Sequence, residues 1–287
     1  MSYTSHYPTS LVRKKNTEEL KIMMQTQNKL RILIVDDSIS IRSVLRALLN
    51  NDDYEVVGEL VSGAKLLSAI DNLNPHIICL DYNLPDTDGL SLLNIIQEIH
   101  PHIAVVMITG SNNLELEHIA AEAGTAGFIY KPFSQEQIIK VLQKVADAQR
   151  LLMVAGRKNN PFEDKPYRAR AVIADDSVTL RRLLMAILTH MGVEVVGEAC
   201  DGKQAAELVS EHKPDIACLD FEMPVMNGLE ALKIIHNQNA STKVIMITAL
   251  ASRELFIRAT NAGAKGYIIK LFHPDKVTQN ISRILSG

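Results

Sequence analysis

The sequence has few cysteines and no long apolar run, and both shortages exclude classes of protein. The chain of 287 residues contains three cysteines, and an odd count without metal-site spacing indicates reduced thiols rather than disulfides or a zinc site. The longest apolar runs, such as residues 32–35 and 104–108, are much shorter than the roughly 20 residues that a membrane-spanning helix needs. The first ten residues are polar, so a secretory signal is not expected. We therefore expect a cytoplasmic protein without membrane insertion.

An excess of charge of one sign is also missing. The chain has 30 lysines and arginines against 33 aspartates and glutamates, for a formal net charge of −3. Because there is no basic stripe and no helix-turn-helix pattern, we do not expect nucleic-acid binding. A hydrophobic content of 47% is normal for a soluble protein with filled cores.

What the sequence does contain is an internal repeat. The segment RILIVDDS returns later as RAVIADDS, and the segment EVVGE occurs twice. Asp81 returns as Asp220 and Gly124 returns as Gly263; 220 − 81 and 263 − 124 both give 139. A constant offset means two copies of one domain without insertions between the matched positions.

Each copy alternates strand patterns with helix patterns. In the first copy the apolar residues from Ile41 to Leu49 follow the spacing of one helix face. The predicted strands of this copy cover residues 32–35, 54–57, 77–80, 104–108 and 128–130, and later predicted helices cover residues 64–73, 90–99, 114–123 and 136–152. Five strands alternating with five helices predict an α/β fold, with a parallel sheet and helices on both faces.

The repeat sets the predicted domain bounds, which are residues 30–150 and 169–287. Residues 151–168 are a polar linker with prolines, although the apolar run 151–154 suggests that the preceding helix extends past its domain and packs on a neighbour. Residues 1–29 are predicted to be an extension with a short helix, because Asn16 and Glu19 match a capping box. We expect this helix to pack on the first domain; the less favoured alternative is a dimerisation or partner helix, which would allow a homodimer.

Polar side chains follow the predicted strands. In the first copy they are Asp36, Asp37, Asp81, Thr109 and Lys131, and the second copy repeats them as Asp175, Asp176, Asp220, Thr248 and Lys270. Sites of parallel α/β sheets lie beyond the carboxyl ends of the strands, so the carboxylates are expected to converge there if the first and third strands are neighbours. A hard cation such as Mg²⁺ complements such a group. A carboxylate beside Mg²⁺ can attack a phosphoryl group, while lysine and threonine hold its oxygens.

Each of these side chains has an ordinary structural explanation when it is taken alone. An Asp-Asp pair after a strand is often the N-cap of the next helix, and strand-end lysines and threonines are commonly solvated loop residues. The same five side chains recur at the same spacing in both copies, which favours a site.

Three motifs carry a resemblance to a known family. The Asp-Asp-Ser openings, the segments LDYNLPDTDG at 80–89 and LDFEMPVMNG at 219–228, and the Lys-x-Phe endings resemble the receiver domains of two-component response regulators. The resemblance covers nearly all of the chain except the extension and the linker. It implies two flavodoxin-like (βα)5 receiver domains in tandem, each with a parallel five-stranded sheet of order 2-1-3-4-5.

The resemblance also implies a role for each matched residue. Asp81 and Asp220 would be phosphorylated, and Mg²⁺ would be held by these two and by Asp36, Asp37, Asp175 and Asp176, with the backbone carbonyls of Asn83 and Glu222. The phosphoryl oxygens would be held by Thr109, Lys131, Thr248 and Lys270. Phe128 and Tyr267 fall at the switch-aromatic position, although Phe128 also fits a core aromatic. The second copy departs from the family by having Lys270-Leu271 where the first has Lys131-Pro132 and receivers typically have a cis peptide.

The function that the resemblance implies is two-component signalling. A histidine kinase or a histidine phosphotransfer protein would donate the phosphoryl group, and the chain would act on a downstream protein or serve as a phosphorelay intermediate or phosphate sink. We expect no effector domain after the second copy, and no enzymatic activity beyond slow loss of the chain's own phosphate.

Two alternatives remain open. One is an aspartyl-phosphate phosphatase, which needs a second carboxylate two residues after the nucleophile; Asn83 argues against it in the first copy, and Glu222 occupies the position in the second. The other is a scaffold that is not phosphorylated.

Overall fold

The computed structural model describes residues 29–110, 113–155, 167–238, 241–250, 252–270 and 274–286. We call residues 29–155 the first unit and residues 167–286 the second unit. The predicted N-terminal helix and residues 156–166 of the predicted linker lie outside the described residues. Among the described residues, no helix combines the length and the apolar character that crossing a bilayer requires.

The first unit is a parallel five-stranded sheet with helices on both faces. Its strands are β1 (Leu30–Val35), β2 (Tyr54–Leu60), β3 (Ile77–Asp81), β4 (Ala104–Thr109) and β5 (Gly127–Tyr130). Its helices are α1 (Ile39–Leu49), α2 (Leu66–Leu73), α3 (Gly89–Ile99), α4 (Leu114–Glu122) and α5 (Gln135–Ala155). The strand order is β2-β1-β3-β4-β5. The predicted α/β class and sheet order are confirmed.

The second unit repeats this arrangement. Its strands are β6 (Ala169–Ala174), β7 (Val193–Ala199), β8 (Ile216–Asp220), β9 (Lys243–Thr248) and β10 (Gly266–Ile269). Its helices are α6 (Val178–His190), α7 (Gly202–His212), α8 (Gly228–Gln238), α9 (Arg253–Asn261) and α10 (Pro274–Ser286). The strand order is β7-β6-β8-β9-β10. Every strand begins and ends 139 residues after its counterpart (for example 169 − 30), as the repeat predicts.

The central strands are buried on both faces, and for that reason they are apolar throughout rather than alternating. All five residues of β3 and all five of β8 are buried. Each sheet lies between two apolar clusters, one on each face. Only the strand ends remain for polar side chains, which places chemistry at the edge of the sheet.

The Asp-Asp-Ser motif turns the chain from a strand into a helix. Ser38 and Ser177, not the aspartates, cap α1 and α6, because their side-chain oxygens accept from the backbone N–H groups of Ile41 and Leu180. The N-cap explanation of the Asp-Asp pairs is therefore wrong, and their carboxylates are left for other contacts.

Helix α5 connects the two units by packing. It extends to Ala155, and its buried residue Leu151 belongs to the same apolar cluster as Leu184 and Ile187 of α6. Ala186 of α6 is buried, whereas its counterpart in α1, Ala47, is exposed. The predicted extension of this helix past its own domain is confirmed.

Candidate functional site

The first pocket lies at the carboxyl ends of β1, β3 and β5. Carboxylate oxygens of Asp36, Asp37 and Asp81 all lie within 4.8 Å of one another. The Lys131 ammonium is 2.8 Å from Asp36 Oδ2 and 3.0 Å from Asp81 Oδ2. The structure thus brings the predicted acidic group and the predicted lysine together.

Two glycines allow the next helix to begin close to the end of the acceptor strand. A Cβ on Gly89 would lie 2.5 Å from the carbonyl oxygen of Asp81, and one on Gly228 would lie 1.9 Å from that of Asp220. Both approaches are shorter than any real contact of a Cβ, so only glycine fits. This explains the Asp-Gly and Asn-Gly ends of the two motif segments.

An arginine on the first helix of each unit holds the acidic pair. Arg42 Nη1 donates to the carbonyl oxygens of Asp36 and Asp37 at 2.8 and 3.0 Å. Arg181 Nη1 makes the same two contacts, to Asp175 and Asp176, at 2.6 and 3.1 Å. Sequence reasoning missed these positioning residues, although both belong to the repeat with the offset of 139 (181 − 42).

Electrostatics in the first pocket favour a bound cation. Burial raises the pKa of Asp81, the hydrogen bond from Lys131 opposes this, and the charge of Asp36 adds to the increase. Burial of Lys131 disfavours its charge, but its hydrogen bonds to Asp36 and Asp81 raise its pKa overall. One lysine does not balance three carboxylates, so the donor set fits a hard divalent ion.

The second pocket contains the same side chains more deeply buried. The Lys270 ammonium is 2.9 Å from Asp220 Oδ2 and 3.6 Å from Asp175 Oδ2. Asp220 Oδ1 and Asp175 Oδ2 are buried and have no hydrogen-bond donor among the described residues. Burial first, and then the neighbouring Asp175, raise the pKa of Asp220 to about 9, while burial raises that of Asp175 to about 6 against the pull of Lys270. Such unsatisfied carboxylate oxygens are what Mg²⁺ would bind.

A fourth carboxylate enters the second pocket from the first unit. Glu122, the last residue of α4, contacts the Lys270 ammonium through Oε2, and its Oε1 accepts from the backbone N–H of Ala249 at 3.3 Å. The acidic group within 4.8 Å in this pocket consists of Glu122, Asp176 and Asp220. Sequence reasoning missed Glu122, because its counterpart in the second copy is the exposed Asn261 and the repeat gives no signal for it.

The predicted threonines lie at the ends of β4 and β9, and the predicted aromatics lie on β5 and β10. Thr109 and Thr248 are buried at the ends of β4 and β9, and Thr248 Oγ1 accepts from the backbone N–H of Leu250 at 3.1 Å. Phe128 is buried and stacked on Tyr130 with ring centroids 6.0 Å apart. Tyr267 instead donates its hydroxyl hydrogen to the carbonyl oxygen of Leu250 at 3.2 Å. The two predicted switch aromatics thus have different surroundings.

The two residues predicted to offer backbone carbonyls make different contacts. The backbone of Asn83 pairs with Asp88 in an isolated antiparallel bridge, and its N–H donates to the Asp81 carboxylate. Glu222 has a side chain that is 53% exposed, and its Oε1 is 3.4 Å from Nε2 of His118 on α4.

The peptide bond after the first lysine is cis. Lys131-Pro132 has this conformation, as the resemblance implies for the first copy. Leu271, which follows the second lysine, lies outside the described residues.

With the fold and both pockets described, comparison with known proteins gives the family. The model of the response regulator receiver domain matches residues 32–143 and again residues 171–282. The chain belongs to this family and contains its domain twice in tandem. The resemblance to tandem receiver domains is confirmed.

Similar proteins include short single-receiver proteins. The chemotaxis protein CheY of Thermotoga maritima is 39% identical over 115 residues, which cover 40% of this chain and 96% of that protein. CheY of Bacillus subtilis is 40% identical over 117 residues, covering 41% of this chain and 98% of that protein.

Two of the solved structures to which the chain is similar each cover less than half of it. The receiver domain of the response regulator NarL from Mycobacterium tuberculosis is 31% identical with a TM-score of 0.41, covering 42% of this chain and 99% of that one. CheY from Borrelia burgdorferi, solved in a complex described as CheX-CheY-BeF3-Mg, is 33% identical with a TM-score of 0.40. The match covers 40% of this chain and 88% of that one.

Proposed function

We propose that each unit accepts a phosphoryl group on one aspartate, Asp81 in the first and Asp220 in the second, in a Mg²⁺-dependent step. The observation that carries the proposal is the acceptor-strand aspartate in contact with a lysine ammonium, inside a group of carboxylates, in both pockets. The family match supports it, because accepting phosphate is the norm for receiver domains.

The residues that would hold Mg²⁺ are the carboxylates of the two acidic groups. They are Asp36, Asp37 and Asp81 in the first unit and Asp175, Asp176 and Asp220 in the second, completed by the backbone carbonyls of Asn83 and Glu222. When bound, Mg²⁺ would neutralise charge on the transferring phosphoryl oxygens. The arginines Arg42 and Arg181 orient the acidic pairs through their backbone carbonyls.

In the transfer step an oxygen of Asp81 attacks the phosphorus of the donor in line with the donor bond. The new P–O bond forms an acyl phosphate while the bond from phosphorus to the donor breaks, and the donor group leaves with that electron pair. Lys131 and Thr109 would hold the phosphoryl oxygens, and Lys270 and Thr248 would do so in the second unit. An ionised Asp81 carboxylate carries no proton that has to be removed, so the first pocket needs no general base.

The donor we propose is a histidine kinase or a histidine phosphotransfer protein in the cytoplasm. The phosphorylated chain would then act through contacts with a downstream protein, or pass the phosphate on as a relay intermediate or sink. In this proposal the receiver units span residues 30–150 and 169–287. The conformational response would involve Phe128 and Tyr267, which lie on the strands that precede the two lysines.

The phosphatase alternative has less support from the pockets. Asn83 has no acidic group with which to act as an acid or base. Glu222 does have one, but its carboxylate faces His118 on the first unit. The chain is therefore better suited to keep a phosphoryl group than to turn over phosphate esters.

Intact-mass measurement after incubation with acetyl phosphate and Mg²⁺ tests the proposal. We expect wild type to gain up to two phosphoryl masses at long times, and Asp81→Ala and Asp220→Ala to gain at most one each. The double variant should gain none. Labelling of the double variant, or no labelling of wild type, would refute the assigned acceptors.

A further inference from the structure

The carboxylate of Glu122 lies beside that of Asp220 in the second pocket. It contacts the Lys270 ammonium, which is itself 2.9 Å from Asp220 Oδ2, and it accepts the N–H of Ala249, the residue that follows Thr248. We expect an anion bound covalently to Asp220 to use the same two donors, because the Lys270 ammonium already contacts the Asp220 carboxylate and Ala249 directly follows the end of β9. One carboxylate therefore already occupies the place of the phosphoryl oxygens.

Several other contacts between the two units hold the first unit in this position. The Thr179 hydroxyl at the start of α6 donates to the side-chain oxygen of Gln97 and lies 2.9 Å from the carbonyl oxygen of Pro101. His118 Nε2 is 3.4 Å from Glu222 Oε1, and Leu151 of α5 is buried against α6. Glu122 is thus part of a packed interface and not a lone surface side chain.

The backbone just after α4 also comes close to the second unit. Gly124, two residues after Glu122, has a φ of +87°, and a Cβ there would be 2.9 Å from the Ser177 side-chain oxygen of the second unit. Its counterpart Gly263 faces His236 of its own unit instead. The end of α4 can approach the second pocket closely because no side chain stands at position 124.

The contact is one-sided. In the described part of the chain, the acidic group of the first pocket consists of first-unit residues alone. The Lys131 side chain is 23% exposed and that of Asp81 is 5% exposed, against 1% for Lys270 and 0% for Asp220. The counterparts of Glu122 and His118 in the second copy are Asn261 and Ile257, both exposed.

We propose that the first unit controls access to Asp220: Glu122 takes the place of the phosphoryl group, so that the second unit accepts phosphate only when α4 moves away. This inference rests on the proposed phosphoacceptor role and adds that Asp81 accepts phosphate more readily than Asp220. The Asp81 pocket is open to a donor, and the Asp220 pocket is closed by the first unit.

Removal of Glu122 tests this in the full chain. With Asp81→Ala as the background, only Asp220 can be labelled, and acetyl phosphate with Mg²⁺ is the probe. We expect Asp81→Ala/Glu122→Ala to be labelled at least about fivefold faster than Asp81→Ala, the lower end of typical coupling between sites. Glu115→Ala in the same background is the matched control, because Glu115 is an exposed acid on the same helix; its labelling rate should not change.

The outcomes separate this inference from the proposed function. Equal rates with and without Glu122 would overturn the control by the first unit while leaving Asp220 as an acceptor. No labelling of Asp220 in either protein would instead refute its acceptor role, and the inference with it. Asp220→Ala/Glu122→Ala should be labelled on Asp81 as fast as Asp220→Ala, which shows that the first unit remains folded.

Hydrogen exchange supplies a second measurement. If the phosphoryl group displaces Glu122, phosphorylation of the Asp81→Ala protein on Asp220 should increase amide exchange in residues 114–122 of the first unit. Unchanged exchange there after full labelling would contradict the displacement.

Discussion

The pocket around Asp81 and the pocket around Asp220 contain matching sets of five predicted side chains, at the ends of the same four strands of each sheet. The first pocket is bordered by its own unit, and its lysine side chain is 23% exposed. The second is covered by the end of α4, contains the extra carboxylate of Glu122, and has a lysine side chain that is only 1% exposed. Identical site residues therefore do not make equivalent sites, because the neighbouring domain determines burial and access.

The largest expected effect concerns the carboxylates proposed to bind Mg²⁺, which both pockets contain. Asp37→Asn or Asp176→Asn removes a charged ligand from a site with few protein ligands, so labelling of the affected unit by acetyl phosphate and Mg²⁺ should be lost. Peptide mapping of the labelled protein is the measurement. The other unit should still be labelled in each variant, and normal labelling of both would show that the metal ligands are wrongly assigned.

A second prediction uses the difference in burial between the lysines. Lys270→Met leaves buried carboxylates without their cation. Removing one partner of a buried ion pair lowers the free energy of unfolding by about 3–5 kcal/mol. Lys131→Met should cost less, because the Lys131 side chain is partly hydrated. Urea unfolding without Mg²⁺ measures both losses, and equal losses would mean that the second pocket is no drier than the first.

The extra packing of α6 gives a third prediction. Leu151→Ala should reduce the unfolding free energy by about 2–5 kcal/mol, as is usual for a buried leucine. Leu152→Ala is the matched control with a smaller expected loss, because Leu152 is only partly buried against the same cluster. A loss below that of Leu152→Ala would show that α5 does not stabilise the second unit.

The smallest expected effect concerns the lifetime of the phosphate. Water must attack the acyl phosphate in line. By the resemblance to receiver domains, the positions that would border this approach are two residues after the aspartate and two after the threonine, namely Asn83 and Ser111 in the first copy and Glu222 and Leu250 in the second. Ser111 lies outside the described residues, while Glu222 is engaged with His118. We predict a phosphate on Asp220 that lasts a few times longer than one on Asp81, because the apolar Leu250 obstructs water.

Decay in the two single Asp→Ala proteins, after removal of the donor, measures this difference. Equal half-lives, or faster loss from Asp220, would contradict it.

Much of the fold and of each pocket could be predicted from the sequence. The carboxyl ends of parallel strands meet at one edge, so aspartates after β1 and β3 and a lysine after β5 have to converge once the strand order is set. The repeat strengthens this prediction because each residue type recurs at the same position in the second copy.

The contributions that were missed depend on packing. Arg42 and Arg181 reach back along a helical turn to backbone oxygens, and no side-chain pattern marks such a contact. The role of Glu122 depends on how the two units pack together, which the sequence does not show. The repeat indicates residues that are the same in both copies, whereas Glu122 differs from its counterpart Asn261. Sequence symmetry thus concealed the asymmetric residue.

The end of α5 has a consequence for dividing the protein into fragments. In sequence Leu151 belongs to the last helix of the first unit, and in space it belongs to the core of the second. A fragment that starts at residue 167 would expose the face of α6 around Ala186 and Ile187 to water, and an uncovered apolar face favours self-association. A fragment starting near Gln135 would retain its covering helix and is the better choice for isolating the second unit.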